Sequence, residues 1–208
     1  MRLTPYLLEG SITIMNKTSS TADIILASAR TLIASGGYNG FSYADIAEVV
    51  GIRKPSIHHH FPSKADLVAA LVAGYLEQAQ QGFANLEHAI PEPLEQLRAY
   101  VGHWKRCIDD QTAPFCLCAL LASEMPLLPH DVAMQVRAFF RFLSGWLTSV
   151  LERGVASGTI ELGNTAPAEA ELFMASLHGA MLSARAYGDT AMFGAIVDTQ
   201  LQRLTASR

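Results

Sequence analysis

The sequence is poor in charge, and the charge it carries is slightly acidic. Charged residues make up 16% of the chain, hydrophobic residues make up 50%, and the formal net charge is −4. No run of eighteen uncharged apolar residues occurs, so we expect no transmembrane helix. Glu9 interrupts the mildly apolar start and no small-residue cleavage site follows, so we expect no signal peptide. So high an apolar content without a membrane span predicts that part of the surface is buried in an oligomer.

Cysteine and the motifs of common enzymes are scarce as well. The three cysteines, Cys107, Cys116 and Cys118, are an odd number without a signal peptide, which predicts free thiols in a reducing cytoplasm. A phosphate-binding loop, a metal-pair spacing and a nucleophile elbow are all missing. The sequence therefore favours a protein that is not an enzyme and needs no cofactor, with an all-α enzyme as an alternative.

Strand-like alternation is also missing, whereas the helical period recurs along the whole chain. We expect an all-α protein of about nine helices. Residues 1–19 are predicted to be a disordered arm or an extension. Residues 20–66 are predicted to form a three-helix domain that includes a helix-turn-helix, and residues 67–208 a larger helical domain. A long fourth helix, beginning after Ser63 and reaching about Glu87, is expected to join the two rigidly.

The most informative segment lies between Ser42 and Lys64. Ser42 is a predicted N-cap, Gly51 ends the short helix that follows, and Pro55 fits the first turn of a second short helix. Two short helices joined by so tight a turn form a wedge, whose second helix enters a DNA major groove while the first crosses the backbone. DNA binding is therefore the leading function.

The charge is distributed unevenly, in the direction that DNA binding requires. Residues 1–70 contain six Lys or Arg and five Asp or Glu, whereas residues 71–208 contain nine and fourteen. The end that carries the predicted helix-turn-helix is therefore net positive although the whole chain is acidic. This modest asymmetry supports DNA binding.

Residues 21–67 resemble the TetR family of transcriptional regulators. The resemblance is carried by Asp45-Ile46-Ala47, by Gly51-Ile52, by Pro55-Ser56-Ile57 followed by three ring side chains and Phe61, and by Ser63-Lys64. It covers about a quarter of the chain and implies that residues 20–66 are a DNA-binding domain and residues 67–208 a ligand-binding and dimerisation domain. The sequence departs from the family pattern at the start of the second short helix, which bears on the DNA sequence that is read and not on the fold: Arg53 and Lys54 replace small or polar residues, Pro55 replaces a frequent glycine, and His58 replaces a usual tyrosine.

The resemblance implies a set of DNA contacts, position by position. Ser42 is similar to the family residue that donates to a phosphate, and Lys64 to its phosphate-binding lysine. Lys54, Pro55 and Ser56 are expected to meet base edges, where Lys54 can donate to a guanine and Pro55 can pack on a thymine methyl. The complete predicted set is Ser42, Tyr43, Arg53, Lys54, Pro55, Ser56, His58, His59 and Lys64. The three successive histidines do not indicate a metal site, because consecutive helical residues point about 100° apart.

The middle and late helices contain the soft and aromatic residues typical of an apolar cavity, although such a stripe also forms ordinary cores. The predicted ligand pocket comprises His103, Trp104, Cys107, Cys116, Met125, Phe139, Phe142, Trp146, Met174, His178 and Met181. The segment from Cys116 to Glu124 resembles a family subgroup that senses electrophiles and oxidants through a cysteine. Cys116 occupies the matching position, and Cys107 lies near enough in sequence to pair with it.

Small residues recur in the next-to-last helix, which allows either a close-packed core or a dimer face. The predicted dimer interface comprises Ala168, Leu172, Ala175, Ser176, Gly179, Ser183, Phe193, Ile196 and Val197. A twofold dimer formed there places two recognition helices on one side of a palindromic operator. We therefore expect a cytoplasmic homodimeric repressor, released from double-stranded DNA by a small molecule or an electrophile. A helical protein-interaction module is the other alternative.

Overall fold

The computed structural model describes residues 20–113 and 115–205. These residues contain nine α-helices, which confirms the all-α prediction. The helices are α1 (Thr21–Gly36), α2 (Tyr43–Val50), α3 (Lys54–His60), α4 (Lys64–Ala89), α5 (Pro93–Asp109), α6 (Leu117–Ser123), α7 (His130–Ala156), α8 (Ala166–Tyr187) and α9 (Ala191–Leu204). A short 3₁₀ helix, Met125–Leu127, follows α6. The predicted arm at residues 1–19 lies outside the described residues.

The described residues divide into two compact units. The helix-turn-helix unit comprises residues 20–78 and 117–140, and the C-terminal unit comprises residues 79–113, 115–116 and 141–205. The division runs through α4 and α7, so it does not coincide with the predicted boundary after residue 66, which stays a prediction about functional domains. The structure adds to the N-terminal helices a second, distant part of the chain, α6 and the first part of α7.

The first helices begin and end where their sequences dictate. Ser20 and Ser42 each cap a helix through a reciprocal capping box with an aspartate three residues on, Asp23 and Asp45. Ser63 accepts a hydrogen bond from the Asp66 N–H at 3.2 Å, as predicted for the start of α4. These caps satisfy N–H groups that a helix leaves unpaired at its first turn.

Gly51 makes the turn between α2 and α3. Its φ of 73° and ψ of 30° are left-handed, a conformation that glycine adopts without strain. Ile25, Ile33, Ile46 and Ile57 are fully buried within the helix-turn-helix unit. Ala47 and Val50, which helical spacing would also place toward this core, and Ile52 are only half-buried. The small isoleucine core thus fixes how the three short helices pack.

The C-terminal unit has its own core, in which α8 packs against α9 and α5 also meets α9. Phe173 and Phe193 are its largest fully buried side chains. After α7 the chain forms an isolated antiparallel bridge between Ile160 and Thr205. The loop at residues 158–163 is thus held against the end of α9.

Candidate DNA-binding surface and regulatory region

The recognition helix α3 exposes the residues that the sequence assigned to DNA bases. Lys54, Pro55 and His59 are exposed and Ser56 is half-buried, whereas Ile57 is fully buried and anchors the helix. Arg53 is exposed at the N-cap and provides no side-chain cap. Donors and cations therefore cluster at the first turn of α3, where a helix that enters a major groove contacts base edges.

His58 is held in one tautomer by its neighbours. Its Nδ1 lies 3.1 Å from the carbonyl oxygen of Pro62, and its ring meets Tyr43 edge to face with centroids 4.8 Å apart. A carbonyl only accepts, so Nδ1 donates and Nε2 of the neutral ring is an acceptor. A phosphate oxygen also only accepts, so contact between Nε2 and a phosphate requires the protonated ring. A base donor, by contrast, fits the neutral form.

Tyr43 has an internal partner where the sequence analysis expected a DNA strand. Its side chain is buried, and its hydroxyl donates to the Phe61 carbonyl at 2.9 Å. Burial, with smaller contributions from the charges of Asp66 and Tyr38, raises the pKa of Tyr43 to about 12. The phenol therefore ties the start of α2 to the end of α3. A DNA contact by this hydroxyl stays a prediction.

Lys64, the predicted phosphate ligand, also has internal contacts. Its ammonium donates to the Phe41 carbonyl at 2.5 Å and lies 4.8 Å and 4.2 Å from the ring centroids of Tyr38 and Phe41. Burial lowers the pKa of Lys64, and the nearby carboxylates of Glu124 and Asp45 oppose that shift. A DNA phosphate that binds the Lys64 ammonium therefore has to share it with the Phe41 carbonyl, in the turn between α1 and α2.

Ser42 is exposed and caps α2 together with Asp45. The Ser42 hydroxyl donates to the Asp45 carboxylate at 2.8 Å, and the backbone N–H of Ser42 donates to the same oxygen at 2.6 Å. These hydrogen bonds hold the pKa of Asp45 below its usual value. The capping bonds place the hydroxyl at the N-terminus of α2, where helix dipole and free N–H groups favour an anion.

Known proteins share this arrangement. A family model described as "Bacterial regulatory proteins, tetR family" matches residues 25–71, and another described as "Tetracyclin repressor-like, C-terminal domain" matches residues 93–199. A solved structure of a TetR-family transcriptional regulator from Agrobacterium tumefaciens is 64% identical, with a TM-score of 0.87 over 89% of this chain and 97% of that one.

Curated relatives match over shorter stretches. The transcriptional repressor KstR2 of Mycobacterium tuberculosis is 31% identical over 74 residues, which is 36% of this chain and 37% of that protein's length. The transcriptional regulator EthR of Mycolicibacterium smegmatis is 31% identical over 137 residues, covering 65% of this chain and 63% of that protein.

The chain belongs to the TetR family. It is a DNA-binding transcriptional regulator and, like its relatives, not an enzyme. Among residues 20–113 and 115–205, no helix is long and apolar enough to cross a membrane, and no cluster of three metal-binding side chains occurs.

The ligand pocket predicted for this TetR-family chain divides between the two units. Met125 and Phe139 lie in the helix-turn-helix unit, where Phe139 is buried beside Tyr75 at a centroid distance of 5.2 Å. The other nine lie in the C-terminal unit. Of these, Trp104, Cys116, Trp146, Met174 and Met181 are buried, and His103, Cys107, Phe142 and His178 are half-buried.

Trp146 belongs to an aromatic cluster that the sequence analysis missed in part. Its ring stacks on Phe83 with centroids 4.0 Å apart and meets Tyr100 edge to face at 5.6 Å. The indole N–H donates to Glu87 at 3.1 Å, and Arg153 donates to the same carboxylate oxygen at 2.9 Å. Neither Phe83 nor Tyr100 was among the predicted residues, since each looks like any core aromatic in sequence.

Two polar groups in the C-terminal unit suit a mostly apolar ligand. Burial lowers the pKa of His178 to about 4, so its imidazole is neutral at pH 7. The buried Trp104 N–H meets no acceptor in good hydrogen-bonding geometry among the described residues, although the Tyr100 phenol lies near enough to interact with it. An acceptor on a ligand would therefore satisfy the buried Trp104 N–H better than the Tyr100 phenol does.

The three cysteines differ in exposure, and no disulfide joins any two of them. Cys116 is 1% exposed, directly before α6, and Cys118 is fully buried within it. Cys107 is half-buried, and its sulfur lies 3.7 Å from Nε2 of His103, one helical turn earlier. The thiol with the readier access and the nearby imidazole is therefore Cys107, not Cys116.

Helix α8 carries one exposed stripe of small and apolar residues. Its exposed members at this spacing are Ala168, Leu172, Ala175, Gly179, Leu182 and Ala186. Two predicted interface residues, Phe193 and Val197, are 0% and 2% exposed because they pack inside the protomer, so they have almost no surface to offer a partner. Ser176, Ser183 and Ile196 are half-buried.

The buried phenol of Tyr43 predicts a specific dependence of stability on pH. A phenol whose pKa rises on folding stabilises the protein fully below the unfolded value near 10, and this stabilisation is lost as the pH rises through about 12. We expect the free energy of unfolding of the Tyr43→Phe variant to fall less steeply than that of the native chain between pH 10 and 12. Urea unfolding at pH 7, 10, 11 and 12 measures the free energy of unfolding of both proteins.

The comparison with the native chain removes the contribution of lysines and other tyrosines, which titrate in both proteins. At pH 7 the variant should be less stable by about 1–3 kcal/mol, because the Phe61 carbonyl loses its donor. If the free energies of unfolding of the two proteins fall in parallel from pH 10 to 12, Tyr43 is not the group that causes the loss of stability.

Proposed function

We propose that this chain is a homodimeric repressor that binds a palindromic operator in the cytoplasm. The observation that carries the proposal is the exposed first turn of α3, where Lys54 and Pro55 stand beyond a buried Ile57. KstR2 is named as a repressor, which favours repression over activation for this chain. Phosphate contacts set the register on DNA and base contacts set the sequence that is read.

The proposed release signal is a mostly apolar small molecule bound in the C-terminal unit. The aromatic cluster around Trp146, the buried Trp104 N–H and the neutral His178 support it. Such a ligand is expected to bind the DNA-free conformation more tightly, which shifts the population away from DNA binding.

The DNA-binding assignment is tested by two variants in α3 and one at α4. A selected duplex is first recovered from random DNA with the native protein, and a random duplex of equal length serves as the non-specific probe. Lys54→Ala and His59→Ala should weaken binding to the selected duplex by about tenfold to a hundredfold. Lys64→Ala should weaken binding to both duplexes alike, and its melting temperature should also fall because the Phe41 carbonyl loses its partner.

Lys105→Ala is the matched control, since Lys105 is an exposed lysine on α5 in the C-terminal unit. It should bind both duplexes like the native chain. Electrophoretic shift titrations at two salt concentrations provide the affinities and the salt slope. Unchanged binding by all three variants would refute the assignment and favour a protein-interaction module.

We further propose that the α8 stripe is the contact surface of a twofold dimer. Leu172→Glu places a charge in the middle of the stripe, so we expect a dimer at micromolar concentration to become a monomer by sedimentation velocity. Leu127→Glu is the control, because Leu127 is 69% exposed and lies outside α8 and α9. A native chain that sediments as a monomer, or an unaltered dimer in Leu172→Glu, contradicts this surface.

Cysteine modification is the alternative release signal. The cysteine that reacts first and the cysteine whose modification releases DNA are expected to differ. N-ethylmaleimide adds its ring carbon to the thiolate sulfur, and the neighbouring ring carbon takes up a proton. We expect mass spectrometry to show Cys107 modified first, because Cys116 is 1% exposed. Release of the selected duplex should follow modification of Cys116, which directly precedes α6.

The native chain and Cys107→Ser should therefore both lose the duplex after treatment, whereas Cys116→Ser should keep it. Mass spectrometry on the same samples confirms which thiols have reacted. Equal release by the native chain and Cys116→Ser would end the proposal for Cys116.

A further inference from the structure

The turn between α1 and α2 receives a carboxylate from a distant part of the sequence. Glu124, the residue after α6, accepts the backbone N–H of Tyr38 with both carboxylate oxygens at 3.1 Å. The two residues are 86 positions apart, and both belong to the helix-turn-helix unit. A charged acceptor makes a stronger hydrogen bond to a backbone N–H than a neutral one.

Gly37 is shaped to this contact. Its φ of 73° with ψ of −170° strongly favours glycine, and a Cβ there would overlap the Glu124 carboxylate. Gly37 and Tyr38 are both buried. The backbone at the start of the turn therefore leaves room for the carboxylate and for little else.

The other end of the same turn is held by a cation. Lys64, the first residue of α4, donates to the Phe41 carbonyl, so residues 37–41 are fixed at the Tyr38 N–H by an anion and at the Phe41 C=O by a cation. The charge of Glu124 also acts on the Lys64 ammonium and opposes the lowering of the Lys64 pKa by burial.

We propose that Glu124 is the positioning residue through which α6 sets the orientation of the DNA-binding helices. While the carboxylate holds Tyr38, the turn is fixed, and α2 and α3 keep the arrangement that fits DNA. Displacement of α6 withdraws the carboxylate and frees the turn, so α2 and α3 lose that arrangement. The proposal rests on the DNA-binding function proposed above, but part of its test needs no DNA.

The first measurement uses the free full-length protein. Glu124→Gln keeps the size of the side chain but removes its charge and one acceptor oxygen. We expect hydrogen–deuterium exchange of the Tyr38 amide to become about tenfold faster, since a hydrogen bond to a charged group is lost. Exchange within α8 and α9 should not change. Glu77→Gln is the matched control, because Glu77 is an exposed glutamate on α4 of the same unit.

The second measurement adds a saturating amount of the selected duplex. Coupling is reciprocal, so DNA bound at α3 should slow exchange across residues 117–123 in the native chain and in Glu77→Gln. In Glu124→Gln the duplex should slow exchange near α3 and leave residues 117–123 unaltered. A residue that only stabilises the fold would speed exchange throughout and would not abolish this one response.

Several outcomes overturn the proposal. Native rates at Tyr38 in Glu124→Gln would do so without any DNA, as would equal protection of residues 117–123 in the variant and the native chain. If Glu124→Gln does not fold, Lys64→Met tests the same turn from its other end, and native exchange rates across residues 37–41 in that variant count against it. Failure of the native chain to bind any duplex refutes the DNA-binding function and leaves the Tyr38 measurement decisive for the contact.

Discussion

The structure depends most on how residues 37–41 are held between α1 and α2. Tyr38 and Phe41 of this turn are buried, and one charge holds each end, Glu124 on the Tyr38 N–H and Lys64 on the Phe41 carbonyl. Both charges are half-buried, where water competes less for them than at the surface. Because α2 begins at the next residues, the angle at which it leaves α1 is fixed by these two contacts together with the isoleucine core.

The recognition helix needs this support because it cannot persist alone. Helix α3 has seven residues, which is well short of the length at which an isolated helix is stable. It is held by the fully buried Ile57, by the left-handed turn at Gly51 and by the hydrogen bond from Tyr43 to the Phe61 carbonyl that follows it. The exposed side chains of Lys54, Pro55 and His59 on α3 are thereby available to DNA. The backbone of α3 is therefore held by its contacts within the protein, while its exposed side chains can contact DNA bases.

Local features of this structure were predictable and non-local ones were not. Ser42, Gly51 and Pro55 act within a few residues of their own positions, so composition and spacing predicted the cap, the turn and the helix start. Tyr43 and Lys64 occupy positions that the TetR resemblance assigns to DNA, yet their polar atoms already bind backbone carbonyls that no spacing rule points to. Phe193 and Val197 show the same limit, because an apolar stripe does not reveal whether it meets its own α8 or a second chain. Glu124 was noted only as the end of a cysteine-linked motif, since its partner lies 86 residues away.

The place of α6 in the chain gives these contacts a regulatory meaning. This helix begins one residue after Cys116 and ends one residue before Glu124, and seven helical residues span about 10 Å. A helix of two turns is stiff over that length, so a shift at its first residue reaches its last with little loss. A movement of α6 therefore acts on the helix-turn-helix unit through its packing against α1 and through the contact held at its end. The hydrogen bond from the Tyr38 N–H to Glu124 is that contact. It is strong because the acceptor is charged, and a side chain at position 37 would overlap the Glu124 carboxylate. The turn before α2 is therefore the point in the helix-turn-helix unit where a small displacement removes the most support.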